Sequence, residues 1–131
     1  MSFQTELQSL LERYLSSYAA GDADGCAAVY HPDGRIDSPF GPPVRGRNAI
    51  RDAHVEWFLE GEENKTMDVL SAAAEGRLGY ALLRYSADLP AGNGIPPRQE
   101  AGTNLSVLVR TADGWEILHS SLNPDFEEQG G

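Results

Sequence analysis

Cysteine is almost absent from this chain. Cys26 stands alone, so no internal disulfide can form and a reducing, cytoplasmic setting is expected. Long apolar runs are missing too. None approaches the ~18 residues that a membrane-spanning helix requires, so no membrane partner is expected. The start, Met1-Ser-Phe-Gln-Thr-Glu, has no basic segment followed by an apolar one, and no export signal is expected. Positive charge is in short supply: Lys and Arg number 10 against 20 Asp and Glu, a formal net charge of −10. Such a surface repels phosphate backbones and anionic headgroups, which argues against nucleic acid as a partner. No two of His31, His54 and His119 have metal-ligand spacing and no cysteine pair exists, so no metal site is expected. No helix start follows Gly92-Asn-Gly, so that segment is a loop and not a phosphate cradle. No cofactor is expected.

What is present suits one soluble domain. The chain has 131 residues, 40% of them hydrophobic, enough for a single core. Residues 1–125 are expected to form that domain, with 126–131 a disordered tail. Leu7, Leu10, Leu11, Tyr14, Leu15 and Tyr18 recur at helical spacing and predict a helix near 5–20, stopped by Gly21. Asp22 or Asp24 caps a short second helix running to about Tyr30. Pro32-Asp33-Gly34 reads as a turn, Arg35–Ser38 as a short strand ended by Pro39, and Gly41–Gly46 as a loop. Ile50, Ala53, His54, Trp57 and Phe58 share one face of a third helix that Gly61 closes. Four strands follow: Lys65–Ala74, Arg77–Ala87, Arg98–Thr111 and Trp115–Leu122. Glu75-Gly76 and Asp113-Gly114 are the expected turns, and Asp88–Pro97 is a long loop. Helices first and a meander later argue an α+β domain with helices on one face of a curved sheet.

Such a sheet leaves a concave space under the helices. Strand alternation puts Ile36 and Ser38 on one face, with Arg35 and Asp37 on the other. Asn104, Ser106 and Leu108 share a face, as do Ile117, His119 and Ser121. A bulge at Pro39 would turn Asp37 inward; otherwise Asp37 reads as a surface ion-pair partner. Trp57 and Phe58 read as core or as a stacking platform for a ligand. His54 reads as a packed residue with one hydrogen bond, and Cys26 as inert.

The segment Tyr30–Gly46 carries a resemblance. With Arg13-Tyr14, Gly21-Asp22, Tyr30, Asp33, Ser38-Pro39-Phe40-Gly41 and Gly46-Arg47-Asn48-Ala49-Ile50, the chain resembles ketosteroid isomerases. These lie within the nuclear transport factor 2-like superfamily, which also holds the SnoaL-like polyketide cyclases. The resemblance implies a cone-shaped roll of about three helices on a strongly curved, mainly antiparallel sheet. It implies a homodimer through the open sheet face, where Tyr85, Leu105, Val107 and Val109 are expected. It also implies an oxyanion-binding tyrosine at Tyr14, supported by Tyr30. The family's third tyrosine falls at His54. Its general base, an Asp before Pro-Phe-Gly, falls at Ser38, and its second, protonated Asp falls at Ser106. An apolar residue on the last strand falls at His119.

A serine cannot abstract a proton from carbon near neutral pH, so steroid isomerisation by the family's route is not expected. The expected function is binding of a small, largely apolar molecule with a carbonyl or hydroxyl, and isomerase, cyclase or lyase chemistry. His119 would move the proton and Tyr14 would donate to the oxyanion. Ser38, His54, Asn104, Ser106 and Ser121 would orient the ligand beside Tyr30, Trp57 and Phe58. His119 as a buried neutral histidine, in a non-catalytic binding or dimerisation module, is the alternative.

Overall fold

The computed structural model describes residues 2–125; the expected tail at 126–131 lies outside them. Helix α1 (Phe3–Ala19) is capped by Ser2, whose side chain accepts from the Thr5 N–H, and buries Leu7, Leu10, Leu11, Tyr14 and Tyr18. This is the expected apolar stripe. Gly21, at φ +69°, takes the left-handed conformation that ends such helices. Helix α2 (Ala23–Ala28) is capped by Asp22. After strands β1 (Tyr30–Ser38) and β2 (Gly41–Arg45) comes α3 (Arg47–Leu59), which buries Ile50 and His54. Strands β3 (Glu63–Glu75), β4 (Leu78–Leu89), β5 (Arg98–Thr111) and β6 (Gly114–Pro124) complete the chain. No helix among the described residues is long and apolar enough to cross a membrane.

One six-stranded sheet runs in the order β2-β1-β6-β5-β4-β3. β1 and β6 pair in parallel and every other pair is antiparallel. The helices lie against one face, and the core of Leu10, Leu11, Ile50, Leu83, Leu108 and their neighbours sits between. The fold is the expected α+β roll.

Two expected boundaries differ. Pro32-Asp33-Gly34 does not end the segment; it is an irregularity inside β1, where the register with β6 shifts between Tyr30 and Arg35. Gly41–Arg45 is a strand and not a loop. It pairs with β1 on one side only, and an edge strand tolerates Pro42 and Pro43 because unpaired N–H groups are not needed there.

One further irregularity decides which side chains meet the helices. Val107 pairs with His119, yet Leu108 pairs with Ile117. Leu118 is therefore an extra residue, a β-bulge that reverses the alternation after it. Ile117 and Ser120 are buried; His119 and Ser121 turn to the open face.

Candidate functional site

A cavity of about 180 Å³ lies between the helices and the concave sheet. Ile36, Phe40, Trp57, Met67 and Leu122 supply its apolar wall. Three polar groups of residues reach it, and hydrogen bonding fixes the proton arrangement of the first two.

The first joins α1 to α3. The Tyr14 hydroxyl and His54 Nε2 are 2.8 Å apart, and His54 Nδ1 lies 2.7 Å from the Ile50 carbonyl oxygen. That oxygen only accepts, so Nδ1 carries the proton. Burial, opposed by the Ile50 hydrogen bond, depresses the His54 pKa to about 4. Neutral His54 then accepts at Nε2, and Tyr14 donates its proton to it. Burial pushes the Tyr14 pKa well up, so its phenol stays protonated. Toward the cavity, Tyr14 thus offers an acceptor oxygen.

The second runs along β1, β6 and β5. Ser106 Oγ donates to Asn104 Oδ1 at 2.8 Å. With that proton committed, Ser120 donates to Ser106 across 3.0 Å, and Tyr30 donates to Ser120 across 3.3 Å. Burial raises the Tyr30 pKa to about 12. The chain of donors ends at Asn104, which lines the cavity. Its Nδ2 has no protein partner among the described residues and is the donor left for a guest.

The third group stands at the mouth and is built of ionisable side chains. Glu60, Glu62, Lys65 and Glu100 line the cavity there with Tyr85. Tyr18 donates its hydroxyl proton to Glu62, and Lys65 Nζ is 3.9 Å from the same carboxylate. Burial lowers the Lys65 pKa against the pull of Glu62 and Glu100. Burial, then the neighbouring Glu62 charge, raises that of Glu100.

Of the residues expected at the site, Tyr14, Tyr30, Trp57 and Asn104 line the cavity. Ser106 and His54 stand one layer behind, 2% and 0% exposed. Phe58 packs its ring edge on Tyr18, centroids 4.9 Å apart, and is core. Ser38 Oγ accepts from the Phe40 N–H at 3.3 Å, so it closes the β1–β2 turn instead of facing a guest.

His119 and Ser121 are corrections. The Leu118 bulge puts both on the open face, and Ser120 and Leu122 take the inward places. The His119 side chain is 43% exposed and donates from Nε2 to Asp37 Oδ2 at 2.5 Å. Arg35 holds the same carboxylate at 2.7 Å. The Arg35 hydrogen bond, aided by His119, lowers the Asp37 pKa to about 2. Asp37 is thus the expected surface ion-pair partner. Tyr85, expected outward, is 7% exposed and faces the cavity.

The charged mouth was not foreseen from sequence. Glu60, Glu62 and Lys65 straddle the end of α3 and the start of β3, where a charged run reads as solvated surface. A signal existed nonetheless: Lys65 is the sole lysine among nine arginines.

A family model described as a SnoaL-like domain matches residues 11–117. A steroid delta-isomerase of Nocardioides simplex is 30% identical over 110 residues, 83% of this chain and 82% of that protein. Among solved structures, a ketosteroid isomerase-like protein from Erwinia carotovora superposes with a TM-score of 0.78 at 14% identity, covering 92% of this chain and 94% of the other. A Mycobacterium tuberculosis protein of unknown function superposes with a TM-score of 0.81 at 20% identity, covering 92% and 70%. At those identities the structural likeness speaks for the fold alone.

Proposed function

Because this chain belongs to the SnoaL-like family, in the ketosteroid isomerase-like part of the nuclear transport factor 2-like superfamily, we propose that its cavity binds a small, largely apolar molecule bearing a carbonyl group and carries out proton transfer beside that carbonyl, as an isomerase does. The observation that carries the reading is Asn104. Its side-chain oxygen takes the Ser106 proton, which leaves the amide N–H pair for a guest oxygen at an apolar wall. A side-chain amide so held stabilises the charge that develops on a carbonyl oxygen during enolisation.

The roles differ from those expected. Asn104 replaces Tyr14 as the oxyanion donor, because Tyr14 spends its proton on His54. The proton-transfer groups are the cavity carboxylates Glu60, Glu62 and Glu100, with Glu100 the one biased toward its acid form. His119 takes no part. Steroids as substrates are not part of the proposal, since Ser38 offers no carboxylate.

The ketone 2-tetralone is a suitable probe. With Trp115→Phe in the background, Trp57 is the only tryptophan, and it lines the cavity. Binding is expected to change its fluorescence, and Asn104→Leu to weaken binding about tenfold, the worth of roughly one lost hydrogen bond to a buried carbonyl. Unchanged affinity in Asn104→Leu would count against the assignment.

Binding without turnover is the second reading. The serine at position 38 and the committed proton of Tyr14 favour it. It expects probe binding with no α-hydrogen exchange above the buffer rate.

A second copy of the chain is the proposed macromolecular partner. The open sheet face presents Tyr80, Leu105 and Val107, 40%, 44% and 37% exposed. Val107 pairs with both Tyr80 and His119 across neighbouring strands, which makes one continuous apolar patch beside the Arg35–Asp37–His119 ion cluster.

A further inference from the structure

Lysine ordinarily keeps its ammonium in water and lays only its stem on the protein. Lys65, the only lysine of the chain, does the reverse. Its side chain is 15% exposed, and Nζ stands 4.6 Å from the centroid of the Tyr18 ring and 5.6 Å from that of Tyr85. It lines the same cavity as Asn104 and the apolar wall. Two carboxyl groups accompany it there. Glu62 is shared with the Tyr18 hydroxyl, and Glu100 lines the cavity beside them. The Tyr85 hydroxyl is buried and has no partner among the described residues.

A desolvated lysine amine beside carboxyl groups, at the edge of an apolar cavity, is the arrangement that carbonyl condensation needs. We infer that Lys65 forms an imine with a small ketone or aldehyde held in the cavity, with Glu100 as the proton carrier. The inference rests on the carbonyl-ligand reading above and deepens it.

The step balances without an oxidant or a metal. Neutral Nζ adds to the carbonyl carbon, and the oxygen takes the proton of the Glu100 carboxyl. A proton on the resulting nitrogen returns to the Glu100 carboxylate, leaving a neutral carbinolamine. Glu100 then protonates the hydroxyl, which departs as water while the nitrogen lone pair closes the C=N bond. One amine, one carbonyl and one carboxylic acid become one protonated imine, one water and one carboxylate, an ion pair inside the cavity. Burial favours both starting forms: it lowers the pKa of Lys65 and raises that of Glu100.

The consequence bears on the missing base. A protonated imine withdraws electrons from the neighbouring C–H more strongly than a hydrogen-bonded carbonyl does. Proton removal then needs neither a donating Tyr14 nor a carboxylate at Ser38; a glutamate of the mouth suffices.

The test is reductive trapping of the full chain with 2-tetralone and sodium cyanoborohydride near neutral pH, read by intact mass and peptide mapping. The chain offers two amines, its α-amino group and Lys65. An exposed lysine of ordinary pKa presents roughly 300-fold less free amine near neutrality than an α-amino group. In the folded protein, Lys65 is expected to be labelled at least as fast as the α-amino group. Unfolding in urea is expected to reverse that order. Glu100→Gln is expected to slow Lys65 labelling about tenfold or more. Lys65→Arg, or Lys65→Met if the first folds poorly, is expected to abolish the internal label.

Labelling confined to the α-amino group, with Trp57 fluorescence still responding to 2-tetralone, overturns the imine and leaves the carbonyl-ligand reading standing. No label and no fluorescence response overturn both.

Discussion

His54 controls more of the site than its buried position suggests. Its Nδ1 proton is pinned on the Ile50 carbonyl, so Nε2 must accept from Tyr14, and a hydroxyl that the family resemblance makes a donor becomes an acceptor. This has a consequence for stability. An unfolded histidine takes up a proton near 6.5, whereas folded His54 resists until about 4. Between those values the unfolded state binds more protons, so stability falls as pH drops through the window. The loss from this residue is about 3 kcal/mol. Glu100 acts in the opposite sense at the low end, because its raised pKa favours the folded state as the carboxyl protonates. Urea midpoints of wild type and His54→Gln isolate the histidine: the variant, which keeps a polar partner for Tyr14, is expected to lose most of the slope between pH 6.5 and 4. An equal slope in both would remove His54 as the cause. Cys26 is fully buried, and burial lifts its pKa to about 12, so thiol reagents should react with it only when the protein unfolds.

At the scale of elements, spacing alone located α1, α3 and the β5–β6 hairpin, because their apolar periodicity is long and their turns are marked by Gly21, Gly61 and Asp113-Gly114. Two features had no such marker. Pro42-Pro43 disguises β2, and the Leu118 bulge has neither glycine nor proline to announce it. A one-residue insertion of this kind turns every later side chain over, which is why His119 and Ser121 were expected in the cavity, whereas Leu122 lines it and Ser120 is buried behind it. Lys65 was legible only by counting. Asn104 was legible by alternation, but the direction of the Ser106 proton, on which its proposed role depends, was not. Close approach between elements gives a further test at Gly102. A Cβ there would lie 2.4 Å from the Asn123 carbonyl oxygen, 2.7 Å from Pro124 Cα and 2.7 Å from the Tyr85 hydroxyl. The backbone atoms cannot yield cheaply, so Gly102→Ala is expected to cost about 2–3 kcal/mol in chemical denaturation. A neutral result would mean that β5 and β6 are looser at this end than their pairing of Gly102 with Pro124 implies.

The whole molecule divides its polar groups between two faces of one sheet. The concave face holds the donor chain ending at Asn104 and the charged mouth around Lys65. The open face holds Arg35, Asp37 and His119 beside Tyr80, Leu105 and Val107. The proposed pairing of two copies through that open face is tested by Leu105→Glu, which sets a charge in the apolar patch without touching the cavity. Sedimentation is expected to report a dimer for wild type and a monomer for the variant, and a wild-type monomer would end the proposal.

The proposed chemistry belongs to the cavity and not to the histidine cluster. α-Hydrogen exchange of 2-tetralone in deuterated buffer, followed by proton NMR with wild type, Asn104→Leu and His119→Ala, separates the two. Wild type is expected to accelerate exchange above the buffer rate, and Asn104→Leu to lose about a hundredfold of that acceleration. His119→Ala is expected to stay within about twofold of wild type, since His119 lines no part of the cavity and lies on the open face. Loss of exchange in His119→Ala, with Asn104→Leu unaffected, would contradict the account.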